Sequence, residues 1–105
     1  MKIRNQYTCP LEITHDIIKG KWKSIILWQL KYGKSSLSQL EKGIQGITQK
    51  MLLQQLKELM VFSMVQKKEF SGYPLRVEYS LTPLGKKMVQ ALITMQAVGK
   101  EILKK

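Results

Sequence analysis

A mostly α-helical α+β fold, with a helix-turn-helix, a two-stranded ribbon and helices at both ends, is predicted by three stretches of the chain. The first is Ser35 to Leu59, SSLSQLEKGIQGITQKMLLQQLKEL, where a short helix signal, a glycine-bearing turn and a helix with one apolar face follow one another. The second begins after Met64, where the hydrophobic period changes and Val65 to Phe70 and Arg76 to Leu81 read as strands around the turn residues Ser71-Gly72-Tyr73-Pro74. The third is 83–104, a long closing helix in which apolar residues recur at three- and four-residue spacings.

Length and charge set the bounds. The 105 residues suffice for one domain, 1–105, with one modest core, and no repeat, low-complexity segment or linker divides them; residues 1–8 read as a flexible arm. The formal charge of +11 points to a polyanionic partner, either nucleic acid or an anionic membrane surface. No apolar run approaches the roughly 18 residues of a spanning helix, and MKIRNQYT lacks a signal-peptide core, so a cytoplasmic protein without a membrane partner is expected. A solitary cysteine makes no internal disulfide and no Cys/His cluster has zinc-ligand spacing, so neither a metal nor a cofactor is implied. The absence of a credible carboxylate pair, nucleophile-base constellation or phosphate-cradling glycine loop argues against an enzyme.

Taken in order, the elements begin at Cys9-Pro10. Proline suits the first helical position, which makes Cys9 the N-cap of a short, partly buried helix with Leu11, Ile13, Ile17 and Ile18 as its apolar residues, ending near Gly20. Lys21 to Tyr32, KWKSIILWQLKY, carries more apolar surface than its neighbours and reads as the central core helix, ended by Gly33. Two capping-box pairs then overlap, Ser36 with Gln39 and Ser38 with Glu41, so the next helix is better defined than its first residue; Leu37 and Leu40 anchor it. Gly43 and Gly46 bracket the turn, and Ile44 and Ile47 pack it down.

Thr48 caps the second helix of the pair, whose Leu52, Leu56 and Leu59 form a core-facing stripe. The opposite side carries Lys50, Gln54 and Lys57, with Leu53 and Glu58 on its flanks and Gln49 in the first turn. That face suits a nucleic-acid groove: Gln bonds adenine in pairs, Lys reaches guanine or phosphate, and Leu53 meets a thymine methyl. Ser38, Gln39 and Thr48 complete the candidate DNA-binding set on the helical side. A solvated helix face has the same composition and is the competing reading. In the ribbon, Lys67, Lys68 and Arg76 lie beside an aromatic tip bearing Tyr73, an arrangement for a phosphate backbone, a minor groove or a plain two-stranded ribbon. Thr82-Pro83 starts the closing helix, whose Leu84, Met88, Leu92, Met95, Val98 and Ile102, together with Leu11, form a candidate dimer interface or a face packed on the parent core.

Helix, core helix, helix-turn-helix, two-stranded wing and closing helix are the order of a winged-helix domain. Cys9-Pro10-Leu11-Glu12, Gly20-Lys21-Trp22, Gly46-Ile47-Thr48, and above all Arg76-Val77-Glu78-Tyr79-Ser80-Leu81-Thr82 with Leu84-Gly85, resemble HxlR-type bacterial transcriptional regulators over roughly Cys9 to Gly99. The resemblance implies a homodimer on double-stranded DNA, binding an inverted-repeat operator with recognition helices in successive major grooves, wings alongside, and half-sites about one helical turn or a multiple apart. The chain departs from the family before its first wing strand: Phe62 and Ser63 stand where an acidic residue and then glycine are usual, which leaves that turn's geometry open.

Cys9 is the redox-sensing candidate. It stands at a helix N-terminus with Lys2 and Arg4 nearby in sequence, a setting in which a thiol is reactive, and in some members of the family a cysteine at the matching position resembles a sensor of oxidants or electrophiles; an inert, half-buried packing thiol is the alternative. His15 lacks partners for a metal site or dyad, and Met51, Met60, Met64, Met88 and Met95 read as flexible core or interface filling. Three function classes therefore compete: a sequence-specific DNA-binding regulator, a winged-helix protein-interaction module or non-specific basic DNA binder without a sensing role, and a basic amphipathic protein on anionic membranes. The Gln/Lys face and the basic ribbon favour the first. The operator, the regulated genes, the sign of regulation and any small-molecule effector are not encoded in a form that can be read.

Overall fold

Local hydrogen bonds supplied by the sequence start most of the helices. The computed structural model describes residues 6–7 and 9–104; of the expected arm, residues 1–5 and 8, Lys2 and Arg4 among them, lie outside the described residues. Helix α1 (Pro10–Ile18) begins with Pro10 at its first position, and its Glu12 carboxylate accepts the Cys9 backbone N–H at 2.9 Å. Helix α2 (Lys23–Leu30) follows, shorter at both ends than the 21–32 expected, because Trp22 is its cap and Lys31 already leaves the α-helical ladder. For α3 (Leu37–Gly43) the overlap of capping boxes is resolved in favour of Ser36: its Oγ accepts the Gln39 N–H at 3.1 Å while Gln39 Oε1 accepts the Ser36 N–H at 2.8 Å.

Gly43 bounds the turn as the last residue of α3, where a Cβ would crowd the Gln29 side chain, and Gly46, at φ +88°, takes up the left-handed conformation before Thr48. Helix α4 (Gln49–Val61) then starts at Thr48, whose hydroxyl accepts the Met51 N–H at 3.1 Å. The strands β1 (Val65–Phe70) and β2 (Arg76–Leu81) occupy the expected residues and pair antiparallel from Val65↔Leu81 to Phe70↔Arg76. Ser35 adds a bridge on the far side of β2, exchanging backbone bonds with Tyr79 at 2.9 and 2.8 Å, and so ties the lead into α3 to the ribbon. Helix α5 (Pro83–Leu103) closes the order.

The core lies where α2, α3 and α4 meet, with Ile26, Leu27, Leu40, Leu52, Leu56 and Leu59 excluded from solvent. Each fully buried Leu or Ile contributes roughly 1.5–3 kcal/mol, so this three-helix contact is a large part of what holds the helix that follows Thr48 in place. Val65, Tyr79 and Leu81 cover the core from the ribbon. The apolar stripe of α5 divides. Met88 and Leu92, expected in a dimer interface, are covered by their own chain because the first half of α5 lies against α2 and β2; Leu84, Met95, Val98 and Ile102 stay exposed, as does Leu11 on α1. Among the described residues no helix is long and apolar enough to cross a membrane.

The turn left open by the sequence is a Schellman motif. Ser63 N–H donates to Met60 O at 3.0 Å and Met64 N–H to Leu59 O at 2.9 Å, with Ser63 in the left-handed region at φ +61°. Phe62 fills the core beside it. The same turn is gripped from the other end of the ribbon: the Thr82 hydroxyl donates to Ser63 O at 2.6 Å and accepts the Gly85 N–H at 2.9 Å, while the Thr82 N–H donates to Met64 O at 3.1 Å. A Cβ at Gly85 would overlap the Met64 carbonyl.

A left-handed non-glycine residue costs about 1–2 kcal/mol, of which glycine's extra freedom in the unfolded chain gives back about 0.4–1. Ser63→Gly is therefore expected to stabilise the fold by roughly 0.5–1 kcal/mol, read from the urea midpoint at unchanged m-value; a lower midpoint would show that the serine side chain contributes more than its backbone strain costs.

Candidate nucleic-acid interface

Helix α4 presents its polar face to solvent because its apolar face is fully used. Leu52, Leu56 and Leu59 are at zero exposure, and Gln49, Lys50, Leu53, Gln54 and Lys57 are exposed on the other side. The arrangement of donors expected from the sequence is thus brought together on one helix: two amides and two ammonium groups around the apolar Leu53. Thr48 and Ser38 are exposed at the starts of α4 and α3, while Gln39 is exposed with its side-chain oxygen committed to the Ser36 cap.

A buried lysine that the sequence reading passed over seats this helix. Lys23, on α2, is almost completely covered; its Nζ donates to Gln55 Oε1 at 2.7 Å and to Glu58 Oε1 at 2.5 Å. Burying an ammonium ion is tolerated only with such partners. The hydrogen bond from Lys23 holds the Glu58 carboxyl below the ordinary range; burial opposes this, and the attraction of the Lys23 charge adds to the lowering. The signal was present in the chain, since Lys23 precedes Ile26, Leu27 and Leu30 by three, four and seven residues and shares their buried face.

In the ribbon the candidate residues separate. Lys68 and Arg76 both approach the Phe70 ring, with Lys68 Nζ 5.2 Å and Arg76 Cζ 4.3 Å from its centroid. Lys67 belongs to the other face by strand alternation and pairs with Glu69 at 3.6 Å. Tyr73, in the loop between the strands, is fully exposed. The basic tip is therefore Lys68, Arg76 and an unshielded aromatic, not a cluster of all three cations.

Cys9 is exposed at the cap of α1. The cations expected beside it lie outside the described residues; the charged group at the cap is Glu12, bonded to the Cys9 backbone. His15 is exposed, and among the described residues no group of His, Cys, Asp or Glu is placed to hold a metal ion. Met64 and Met88 fill the core, Met51 and Met60 are half-buried, and Met95 is exposed.

Known proteins share this arrangement. The HxlR-like helix-turn-helix family matches residues 17–105. The MalR protein of Fusobacterium mortiferum is 41% identical over 99 residues, 93% of either chain. Among solved structures, the HTH-type transcriptional regulator ytcD superposes with a TM-score of 0.87 at 35% identity over 93% of this chain and 100% of its own. The redox regulator HypR in its reduced form superposes with a TM-score of 0.83 at 34% identity over 89% and 92%.

Removing Glu58 leaves the Lys23 ammonium buried with one amide partner, so Glu58→Ala is expected to destabilise the fold by about 3 kcal/mol. The pH dependence has a definite sign. Because the folded-state pKa of Glu58 lies below its unfolded value, the pair's contribution is complete above the ordinary glutamate range and is lost as pH falls through the folded value. The melting-temperature gap between wild type and Glu58→Gln should therefore be constant near neutrality and shrink below about pH 4; a gap independent of pH would rule out an ionised Glu58 as Lys23's partner.

Proposed function

Because the chain belongs to the HxlR-like helix-turn-helix family of DNA-binding transcriptional regulators, we propose that it acts as a homodimer on an inverted-repeat operator, with the α4 helices in successive major grooves and the wings alongside. Proteins of this family regulate transcription and are not enzymes. The observation that carries the finer reading is the exposed face of α4, which offers Gln49, Lys50, Leu53, Gln54 and Lys57 to a groove while every leucine of the opposite stripe is buried. Ser38, Gln39 and Thr48 flank that face as partners for phosphate, and Lys68, Arg76 and Tyr73 form a wing tip suited to the adjoining backbone or minor groove. Lys67, turned to the other face, has the smaller part. Dimerisation is supported by the apolar residues that the chain leaves uncovered, Met95, Val98 and Ile102 on α5 with Leu84 and Leu11.

Gln54→Ala and Lys57→Ala should each weaken operator binding about tenfold, the equivalent of 1.4 kcal/mol, with unchanged helical circular dichroism. If Lys57 meets phosphate, its loss also lowers the salt slope by about one and weakens all sequences alike. Fluorescence anisotropy on operator and competitor duplexes separates these cases. Unchanged affinity for both variants would move the interface to another face, and equal affinity for operator and competitor would reduce the protein to a non-specific basic binder.

A regulatory role for Cys9 belongs to the same reading, supported by its exposure and by the likeness to HypR, a redox regulator. With one cysteine per chain, oxidation by diamide joins the thiols of two subunits, two protons and two electrons passing to the azo bond. Operator affinity should change on diamide or N-ethylmaleimide treatment in the wild type and not in Cys9→Ser; an identical response in both would remove Cys9 from regulation.

A further inference from the structure

Away from the α4 face, the connection between α2 and α3, the outer face of the ribbon and the first half of α5 border a solvent-open cavity of about 550 Å³. It continues along the ribbon into a groove of about 380 Å³, the two sharing Lys34, Gln66 and Ser80. The size falls within the range of small-molecule sites, about 300–1,000 Å³. Its lining divides by chemistry. Leu30 and Val89, almost fully buried, close its bottom, the exposed Tyr32 ring gives it an apolar wall, and Gln66, Ser80 and Gln90 supply neutral hydrogen-bonding groups.

Lys31, Lys34 and Lys86 supply its charge. Lys31 is braced by two rings, its Nζ lying 4.6 Å from the Trp28 centroid and 4.3 Å from that of Tyr32. Lys34 has a loose partner in Glu78 at 3.7 Å. Among the described residues no carboxylate pairs with Lys31 or Lys86. Lys86 also sits in the opening turns of α5, whose first turn carries no acidic residue to offset it. Three ammonium groups against one carboxylate, around a partly apolar cavity, constitute a receptor for negative charge attached to an apolar body.

We propose that this cavity binds a small organic anion, a carboxylate or phosphate monoester whose charged end meets Lys31 and Lys86 and whose apolar part rests against the Tyr32 ring. Neither the α4 interface nor Cys9 takes part, so the binding step stands or falls independently of the operator reading.

The test is a chemical-shift titration of the ¹⁵N-labelled full chain with three probes at fixed ionic strength: benzoate, its neutral isostere benzamide, and inorganic phosphate. Benzoate should give saturable shifts at the amides of Gly33, Ser80 and Gln90, at least tenfold tighter than benzamide and than phosphate. The double variant Lys31→Gln/Lys86→Gln should lose at least tenfold in benzoate affinity, whereas Lys100→Gln/Lys104→Gln, on the far end of α5, should lose nothing. Equal binding of benzoate and benzamide would make the cavity merely apolar, and equal binding of phosphate would make it a diffuse cationic patch; either overturns the proposal, as does the absence of saturable shifts. Perturbation of these amides by flanking duplex DNA but not by benzoate would reassign the lysines to a phosphate backbone and overturn it equally.

Discussion

The carbonyl of Met64 accepts the Thr82 N–H and stands where a side chain at Gly85 would have to go, so the first turn of α5 is pressed onto the turn between α4 and β1. That contact ties the base of the ribbon and the start of α5 to the end of α4. The ribbon leaves and returns within a few ångströms of the same point, because Val65 pairs with Leu81 at its base and the Thr82 hydroxyl bonds Ser63. Moving the wing relative to α4 means breaking several backbone and hydroxyl bonds together. The wing is thus carried as an extension of the helix-turn-helix, with freedom left only toward its tip.

Much of this architecture was legible in the chain, for reasons that differ by element. The strands were located to the residue because turn composition marks their inner limits and alternation marks the second, and the start of α4 because a capping threonine precedes a leucine stripe, though the helix runs on past Leu59 to Val61. The ends of α2 were misplaced: Trp22, Lys31 and Tyr32 are compatible with a helix, and only tertiary packing ends it where it does. Gly43 was legible as a boundary of the turn, but the reason for a glycine there, room for the Gln29 side chain, was not. The stripe of α5 could not be divided from sequence, since Met88 and Met95 have the same chemistry and opposite surroundings. For the interface, residue type identified the exposed amides and lysines of α4, but strand alternation should have separated Lys67 from Lys68, and the helical period should have placed Lys23 inside.

The division of α5 also separates two tasks within one helix. Its first half is part of the domain, held by Thr82, Gly85, Met88 and Leu92, and lines the cationic cavity with Lys86 and Gln90. Its second half has almost no cover from its own chain, and Met95, Val98 and Ile102 expose apolar surface that a monomer gains nothing by displaying. The two halves are joined by a continuous backbone hydrogen-bond ladder, which is stiffer than any loop.

The buried lysine has a consequence that extends beyond stability. Glu58 is the only carboxylate on α4, and an unbalanced anionic side chain there would repel phosphates at the interface proposed for this helix. Lys23 lies behind it, on another helix and out of reach of the solvent, and compensates that charge from within. The helix therefore carries an internal counterion: Glu58 anchors α4 to α2, and the charges that α4 leaves exposed, Lys50 and Lys57, are both positive.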